Sequence, residues 1–385
     1  MGRIHYFSNI DFLICELVRQ AMTDIVVVGG GIVGASTCYY AKQRGATCTL
    51  IERDDVASHA SGYAFGGLHP RLVATSDSEM TQFALTSFEE HRRLHDELES
   101  ETEQESTWRP RTSISLAWNE TEANLLQQLA VADSSSSEWL GAKQLLELEP
   151  RISSSALGGL MTNDSAEVDA KELTESLVRS SAPHFRSADV VGINCVNDRI
   201  EGVRTRNGEI IEGDSFVFAM GPWSNQAFEW LGLNCEVMPL KGQILRLKIA
   251  GPVFQHSFST AGNYMSTKPD GLLWIGTTEE DVGFDETPTH YGRSTIMKVL
   301  QRMLPNSSNF SVVRQTACLR PITSDGELIL GNVASTRNAL VGTGGGRKGI
   351  LYGPLMGKYL TDQALATARS ETWSPLSPNR FVDTS

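Results

Sequence analysis

The six cysteines, Cys15, Cys38, Cys48, Cys195, Cys235 and Cys318, include no CxxC pair, and their wide spacing offers neither a zinc site nor a disulfide framework. No run approaches the roughly 18 to 20 uncharged apolar residues that a membrane-spanning helix needs. Positive charge is also short, with 33 Lys and Arg against 46 Asp and Glu and a formal net charge of −13. That balance works against a nucleic acid or an anionic membrane as partner, because binding phosphates takes a basic face that displaces counterions. Residues 1–21 hold Asp11 and Glu16 inside their apolar patch and end in no small-residue cleavage site, which argues against a secretory signal. Met22 directly precedes the first strong strand, so this leader reads as a dispensable extension or an upstream start, with a short amphipathic helix as the competing reading. A reducing, cytoplasmic setting is the expectation, with peripheral membrane association left open.

What the sequence does have is glycine, 34 of 385 residues, about 9% against a usual level of about 7%. A chain of 385 residues, 40% apolar and 21% charged, reads as a soluble globular protein of two or three domains. Its glycines gather at 29–34, 62–67 and 342–349. From Asp24 the chain reads DIVVVGGGIVGASTCYYAKQRGATCTLIER. Residues 25–28 form an apolar strand-type run, Gly29, Gly31 and Gly34 supply GxGxxG, and helical spacing follows through Ala35, Cys38, Tyr39 and Ala41. Gly45 is a plausible C-cap before a second strand from Thr47 to Ile51.

Such a βαβ unit lets bare backbone approach a pyrophosphate at the positive end of the helix. Glu52 follows 18 residues after Gly34, where a carboxylate accepts hydrogen bonds from both ribose hydroxyls and repels a 2′-phosphate. The glycines alone could serve only a tight turn; strand, helix and acidic strand end together point to a dinucleotide site. The motif does not separate FAD from NAD.

Residues 56–70, VASHASGYAFGGLHP, are small and uncharged for a surface loop, but suit a wall beside a flat ring system. Here the chain resembles the D-amino-acid oxidase and glycine oxidase superfamily of FAD-dependent amine oxidoreductases, closest to the glycine oxidase branch, which carries a similar ASxxSxxxxGG stretch. The resemblance runs from Met22 over nearly all of the remaining chain. It implies an α/β fold: a Rossmann-like FAD-binding domain of the GR2 type, with a second α+β substrate domain built on an antiparallel sheet. It also implies non-covalent FAD held by Gly29, Gly31, Ile32, Val33, Gly34, Glu52, Arg53, Ser61, Gly66, Gly67 and Leu68. Val190 would lie against adenine, and Gly221 and Trp223, in DSFVFAMGPWS at 214–224, near the cofactor.

Residues 76–150 read as polar helical material, with EEHRRLHDELESE as a solvated helix face. Ser134–Ser137 and Ser153–Ser155 mark loops. AEVDAKELTESLVR at 166–179 resembles a helix start that re-enters the FAD domain, and strands alternate from about 236 to 285 around a Pro-Asp-Gly turn at 269–271. The expected organisation is an extension at 1–21, an FAD domain at 22–90, 145–235 and 315–372, a substrate domain at 91–144 and 236–314, and a tail at 373–385.

GTGGGRKG at 342–349 precedes an apolar helix and repeats the logic of the first motif, with exposed amides facing an electron-rich group. On the resemblance Gly344, Gly346, Lys348, Gly349 and Ile350 hold the N1/C2=O edge of the flavin; simple loop flexibility is the rival. Arg320 lies in CLRPITSDG, which resembles a family motif whose arginine binds the substrate carboxylate. A planar guanidinium matches a carboxylate bidentately, although an internal salt bridge would also satisfy it.

Tyr264 matches a tyrosine supporting that carboxylate, or packs; Arg347 stands beside the pocket, or braces its loop. In monomeric sarcosine oxidases an oxygen-activating lysine corresponds to Trp274 here and a carboxylate-binding lysine to Leu351, which leaves the carboxylate to Arg320. Cys318 falls where those enzymes attach FAD covalently, though a buried structural thiol is commoner. His69 is equally structural or functional. No catalytic acid, base or metal ligand is assigned.

The expected function is oxidation of the C–N bond of a small amino acid or N-alkyl amino acid, of glycine, sarcosine or D-amino-acid type. Hydride passes to the flavin, the imine hydrolyses, and electrons go on to O2 or to a quinone or carrier. One rival is an FAD domain acting on an aminomethyl-uridine in tRNA, which GGLHPRL at 66–72 resembles, but which the charge of −13 and the lack of an attached methyltransferase domain oppose. The other is a non-catalytic FAD-binding subunit of a heteromeric amine dehydrogenase; homo-oligomeric and heteromeric assemblies both fit.

Overall fold

A computed structural model describes residues 24–73, 79–102, 107–260, 262–307, 309–366 and 373–381. The 1–21 leader lies outside them. Among the described residues a six-stranded sheet runs in the order Ile329–Asn332, Ala339–Thr343, Ser215–Phe218, Asp24–Val28, Thr47–Glu52, His184–Ser187. All neighbours are parallel except the first pair.

The apolar run at Asp24–Val28 is continuous because both of its faces are covered. Ile25 and Val27 pack into a core with the helices Ile32–Gln43, Glu79–Thr102, Ala170–Ser181 and Gly349–Ala364. Val26 and Val28 face the other way, into a core closed by the antiparallel strands Val190–Val196 and Arg199–Thr205 and the helix Ser224–Leu231. The last long helix crosses the first at close range: a Cβ at Gly353 would sit 2.6 Å from Ile32, and one at Gly357 would sit 2.4 Å from the Ser36 Cβ.

The second sheet carries its strands in the order Glu280–Asp281, Val237–Ile249, Leu273–Gly276, Asn263–Thr267, Ser257–Thr260, Ser113–Ala117, Gly158–Thr162, Ser137–Gly141. Phe310–Thr323 adds to Val237–Ile249 from the other side. One face, with Ile114, Phe258, Met265 and Ile275, packs on the helix His290–Met303.

Four expectations are corrected here. Phe310–Thr323 pairs as far as Thr323 with Val237, so this sheet extends past residue 314, and Ser137–Gly141 and Gly158–Thr162 carry it into the segment beginning at 145. A long strand crosses from one domain to the other without a break in periodicity, which leaves no boundary to read. Glu79–Thr102 belongs with the cofactor sheet rather than being divided at residue 90, and its charged stretch is solvated on one face only, at Glu89, Arg92, Asp96 and Glu99. Glu90, His91, Leu94 and Leu98 are all buried, with Glu90 accepting from Tyr40 and from Lys358 Nζ (2.8 Å). Ser137 opens a strand, Ser137–Gly141, rather than closing the loop of Ser134–Ser136. The segment from 373 is no loose tail, since Trp373 and Leu376 pack in the cofactor-domain core and Arg380 pairs with Asp325 at 2.8 Å. Cys38 and Cys48 are free thiols with Sγ atoms 3.0 Å apart. No helix among the described residues is long and apolar enough to cross a membrane.

Candidate active site

The strand Asp24–Val28 delivers Gly29 at φ +113°, and the chain turns so tightly that a Cβ at Gly34 would lie 1.9 Å from the Gly29 carbonyl oxygen. Gly34 therefore shapes the turn and does not line the site. Glu52 accepts from the Gly30 amide (2.6 Å) with one oxygen and from the Asp54 amide (2.9 Å) with the other, which aims its carboxylate at the turn. Ser61 Oγ accepts from the Ile32 amide at 2.9 Å, at the start of the helix.

Between these groups lies a cleft of about 120 Å³ lined by Gly29, Gly31, Glu52, Arg53, Ser61, Val190, Gly221 and Trp223. Arg53 lies 4.1 Å over the Trp223 ring, and the Phe284 ring stacks with Trp223 at 5.7 Å. His59 stands edge-on to Trp223 and bridges Asp54 (2.9 Å) to Glu286 (3.0 Å), so the second domain reaches the rim of this cleft. Hydrogen bonding to Glu286, opposed by burial and helped by Asp54, raises the His59 pKa.

Through Gly31, Ser61 and Gly221 the cleft joins a cavity of about 540 Å³ between the two domains. Gly31, Ile32, Val33, Ser61, Gly66 and Gly67 line it from one end of the chain, and Gly346, Arg347, Lys348, Gly349 and Ile350 from the other. The same cavity receives Tyr264, Cys318 and Arg320 from the large sheet, so residues far apart in sequence meet in one place.

The pair of hollows fits FAD. A Cβ placed at Gly221 or at Gly349, both of which line the hollows, would meet no protein atom within 4 Å. The amides at the start of Gly349–Ala364 have no carbonyl partners within the helix, as at any helix N-terminus, and face the same cavity. His91, from the buried seam, donates to the Ile350 carbonyl at 2.8 Å and steadies that first turn. Burial and the Arg347 charge push Lys348 down to about 8.

Arg320 is nearly buried. Its guanidinium donates to Thr277 Oγ1 (2.5 Å) and to the Thr278 carbonyl (3.3 Å). Glu279 lies 4.0 Å away, but its carboxylate is half-exposed and closer to Arg347, at 2.9 Å. Arg347 also donates to the Gly262 carbonyl, so in this structure it braces the loop that borders the pocket. The Tyr264 ring lies tilted against Phe65 with centroids 4.1 Å apart, and burial raises its phenol pKa against the lowering charges of Arg320 and Arg347. Cys318 is buried, and burial pushes its thiol up to about 11, which keeps it protonated near neutral pH.

Leu68 and Gly344 line neither hollow. Leu68 is fully buried in the cofactor-domain core, and Gly344, at φ +79°, packs over Thr323 and Leu328. Sequence reasoning did not single out Lys268 and Glu167, two buried side chains 3.2 Å apart, with Arg109 3.6 Å from the carboxylate. Lys268 Nζ sits 4.0 Å over the Phe65 ring, and burial lowers its pKa to about 8. Alternation from Tyr264 through Ser266 to Lys268 was the available signal. His69 borders this group, with burial pushing it down to about 4 and leaving it neutral. Trp274 donates to Asp270 (3.0 Å) under the Arg246 guanidinium, and Leu351 lines the cavity.

The family model described as FAD dependent oxidoreductase matches residues 24–363. A glycine oxidase of Bacillus licheniformis is 26% identical over 354 residues, covering 91% of this chain and 95% of that protein. A hydrogen cyanide synthase subunit of Pseudomonas protegens is also 26% identical, over 89% of this chain and 93% of that one. The crystal structure of glycine oxidase from Geobacillus kaustophilus superposes with a TM-score of 0.88 at 25% identity, covering 94% of this chain and 99% of that one.

Proposed function

The chain belongs to the FAD-dependent oxidoreductases, and on that premise we propose that it oxidises the C–N bond of a small amino acid or N-alkyl amino acid. The observation that carries the proposal is Arg320, a nearly buried cation that opens on the FAD cavity and has only the shared, half-exposed Glu279 at 4.0 Å as an acidic neighbour among the described residues. A charge so placed calls for a carboxylate, and a substrate can bring one. The similarity to glycine oxidases supports the same substrate class.

Bound FAD supplies the acceptor for a hydride. The chain's own residues place the donor. Arg320 takes the carboxylate as a fork, Tyr264 adds its hydroxyl, and Phe65 and Ile244 exclude water from the reacting end. With carboxylate and amine in place, Cα–H has one direction left, towards the glycine-rich wall. The substrate loses a hydride from Cα, which carries both electrons, and a proton from nitrogen; the nitrogen lone pair forms the C=N bond, and water then cleaves the imine to a 2-oxo acid and an amine or ammonia. Cys318 is proposed as a packed thiol rather than a flavin ligand. Assays in air and with a dye acceptor would tell O2 from a carrier as the electron sink.

The test is Arg320→Ala in FAD-loaded protein, mixed without air with glycine, sarcosine, proline and D-alanine while the flavin colour is followed. Bleaching by at least one of them, with kcat/KM lowered about 100-fold or more by the substitution, is expected when a bidentate charged contact is lost. Unchanged kinetics would refute the role of Arg320.

A further inference from the structure

The cavity runs on past Tyr264. In the large sheet Tyr264 pairs with Ser259, and Ser259 pairs with Ser115 on the next strand. Paired residues share a face, so the three side chains form a row, and Ser115 stands two strand spacings, about 10 Å, from the Tyr264 strand. The alternate residues Ile114, Phe258 and Met265 belong to the apolar core on the other face. All three members of the row line the cavity, as do Ser113 and Ser257, which pair one step along.

This floor is hydroxyl-rich where a site for glycine alone would need nothing. Ser115 Oγ and Ser259 Oγ share one hydrogen bond at 2.9 Å, which leaves each with capacity to spare. Ser257 is 3% exposed, and its Oγ is buried with no hydrogen-bond partner among the described residues. An orphaned hydroxyl inside a ligand cavity is a cost that a ligand can remove. At the same end the helix Glu120–Ala132, packed on Ser113–Ala117, contributes Glu122 to the lining.

We propose that this serine floor is a subsite for a neutral hydrogen-bonding arm, a hydroxyl or a primary amide, carried by the substrate. The inference rests on the amine-oxidation reading and sharpens its substrate class. With the carboxylate on Arg320 and Tyr264, a side chain of three or four atoms beyond Cα extends along the row towards Ser259, whose hydroxyl is held by Ser115. Hydroxyls both donate and accept, as an amide requires. A second carboxylate would meet Glu122, and an apolar arm would leave the serines unpaired, which is how polar sites reject isosteres.

The experiment uses FAD-loaded protein and glycine, with both enantiomers of glutamine, leucine and glutamate, following anaerobic flavin bleaching and kcat/KM. One enantiomer of glutamine is expected to exceed leucine and glutamate of the same hand by about tenfold or more in kcat/KM. Ser115→Ala/Ser259→Ala is expected to lower the glutamine-to-glycine ratio of kcat/KM about tenfold, chiefly through KM. A ratio that does not move, or leucine serving as well as glutamine, overturns the subsite. Bleaching by glycine alone refutes the arm and leaves the amine-oxidation reading standing, whereas no bleaching by any of them removes both.

Discussion

Gly242 lies in the middle of the strand Val237–Ile249, opposite Cys318, and the Arg320 side chain folds back across it. A Cβ at this position would sit 2.0 Å from Nη2, 2.4 Å from Cζ and 2.8 Å from Nη1 of Arg320. Ordinary contact begins near 3.4 Å, so Gly242→Ala drives the guanidinium back by about 1.4 Å. What yields is the end of a flexible side chain, and Gly242 is not among the residues at positive φ, so the fold should survive. The stability loss should stay within about 1 kcal/mol.

Function has no such slack. The displaced guanidinium loses its bonds to Thr277 (2.5 Å) and Thr278 (3.3 Å), and a shift of about 1 Å in a positioning group can cost about 100-fold in rate. The expected result for Gly242→Ala is kcat/KM on the preferred amino acid down about 100-fold, with FAD content and melting temperature close to those of the parent. Stopped-flow reduction of the flavin and a thermal melt measure both. Parent-like kcat/KM in a variant that carries full FAD would refute the placement of Arg320 as the carboxylate anchor.

Two further outcomes follow from the cofactor side. Glu52→Gln keeps the shape of the side chain but weakens its acceptance from the Gly30 and Asp54 amides and from ribose hydroxyls, so the FAD dissociation constant should rise about tenfold in a fluorescence titration. An unchanged constant would remove Glu52 from the ribose. Burial raises the Glu90 pKa, but hydrogen bonds from Arg93, Lys358 and Tyr40 outweigh it and bring the group from 4.5 down to about 2. A depressed carboxylate stabilises the fold fully above its unfolded pKa. About 3 kcal/mol should therefore be lost as pH falls from 4.5 to 2. Thermal melts of the parent and Glu90→Gln across that range should converge on acidification; parallel curves would show that Glu90 carries none of the acid sensitivity.

The cofactor motif was legible because its demands are local. Gly29, Gly31 and Gly34 with Glu52 specify a turn, a helix start and an acceptor within about thirty consecutive residues, and no distant contact is needed to recognise them. The loop at 342–349 was legible for the same reason. Leu68 and Gly344 stand outside both hollows because neighbours of a glycine that lines a cavity share its sequence context while their own backbone turns them into the core. The buried face of the charged helix Glu79–Thr102 is not legible, because charge alternation does not say which carboxylate finds Lys358 and Tyr40, more than 250 residues downstream and about 50 upstream.

The sequence by itself determined the dinucleotide-binding unit, the acidic end of its second strand and the presence of an arginine in a motif that suits a carboxylate. Only the tertiary structure decided what that arginine faces. Strand register brings Arg320 across Gly242 and sets Tyr264, Ser259 and Ser115 in one row. Pairing between strands is a non-local choice, in which a slip of one residue would turn each of these side chains to the opposite face.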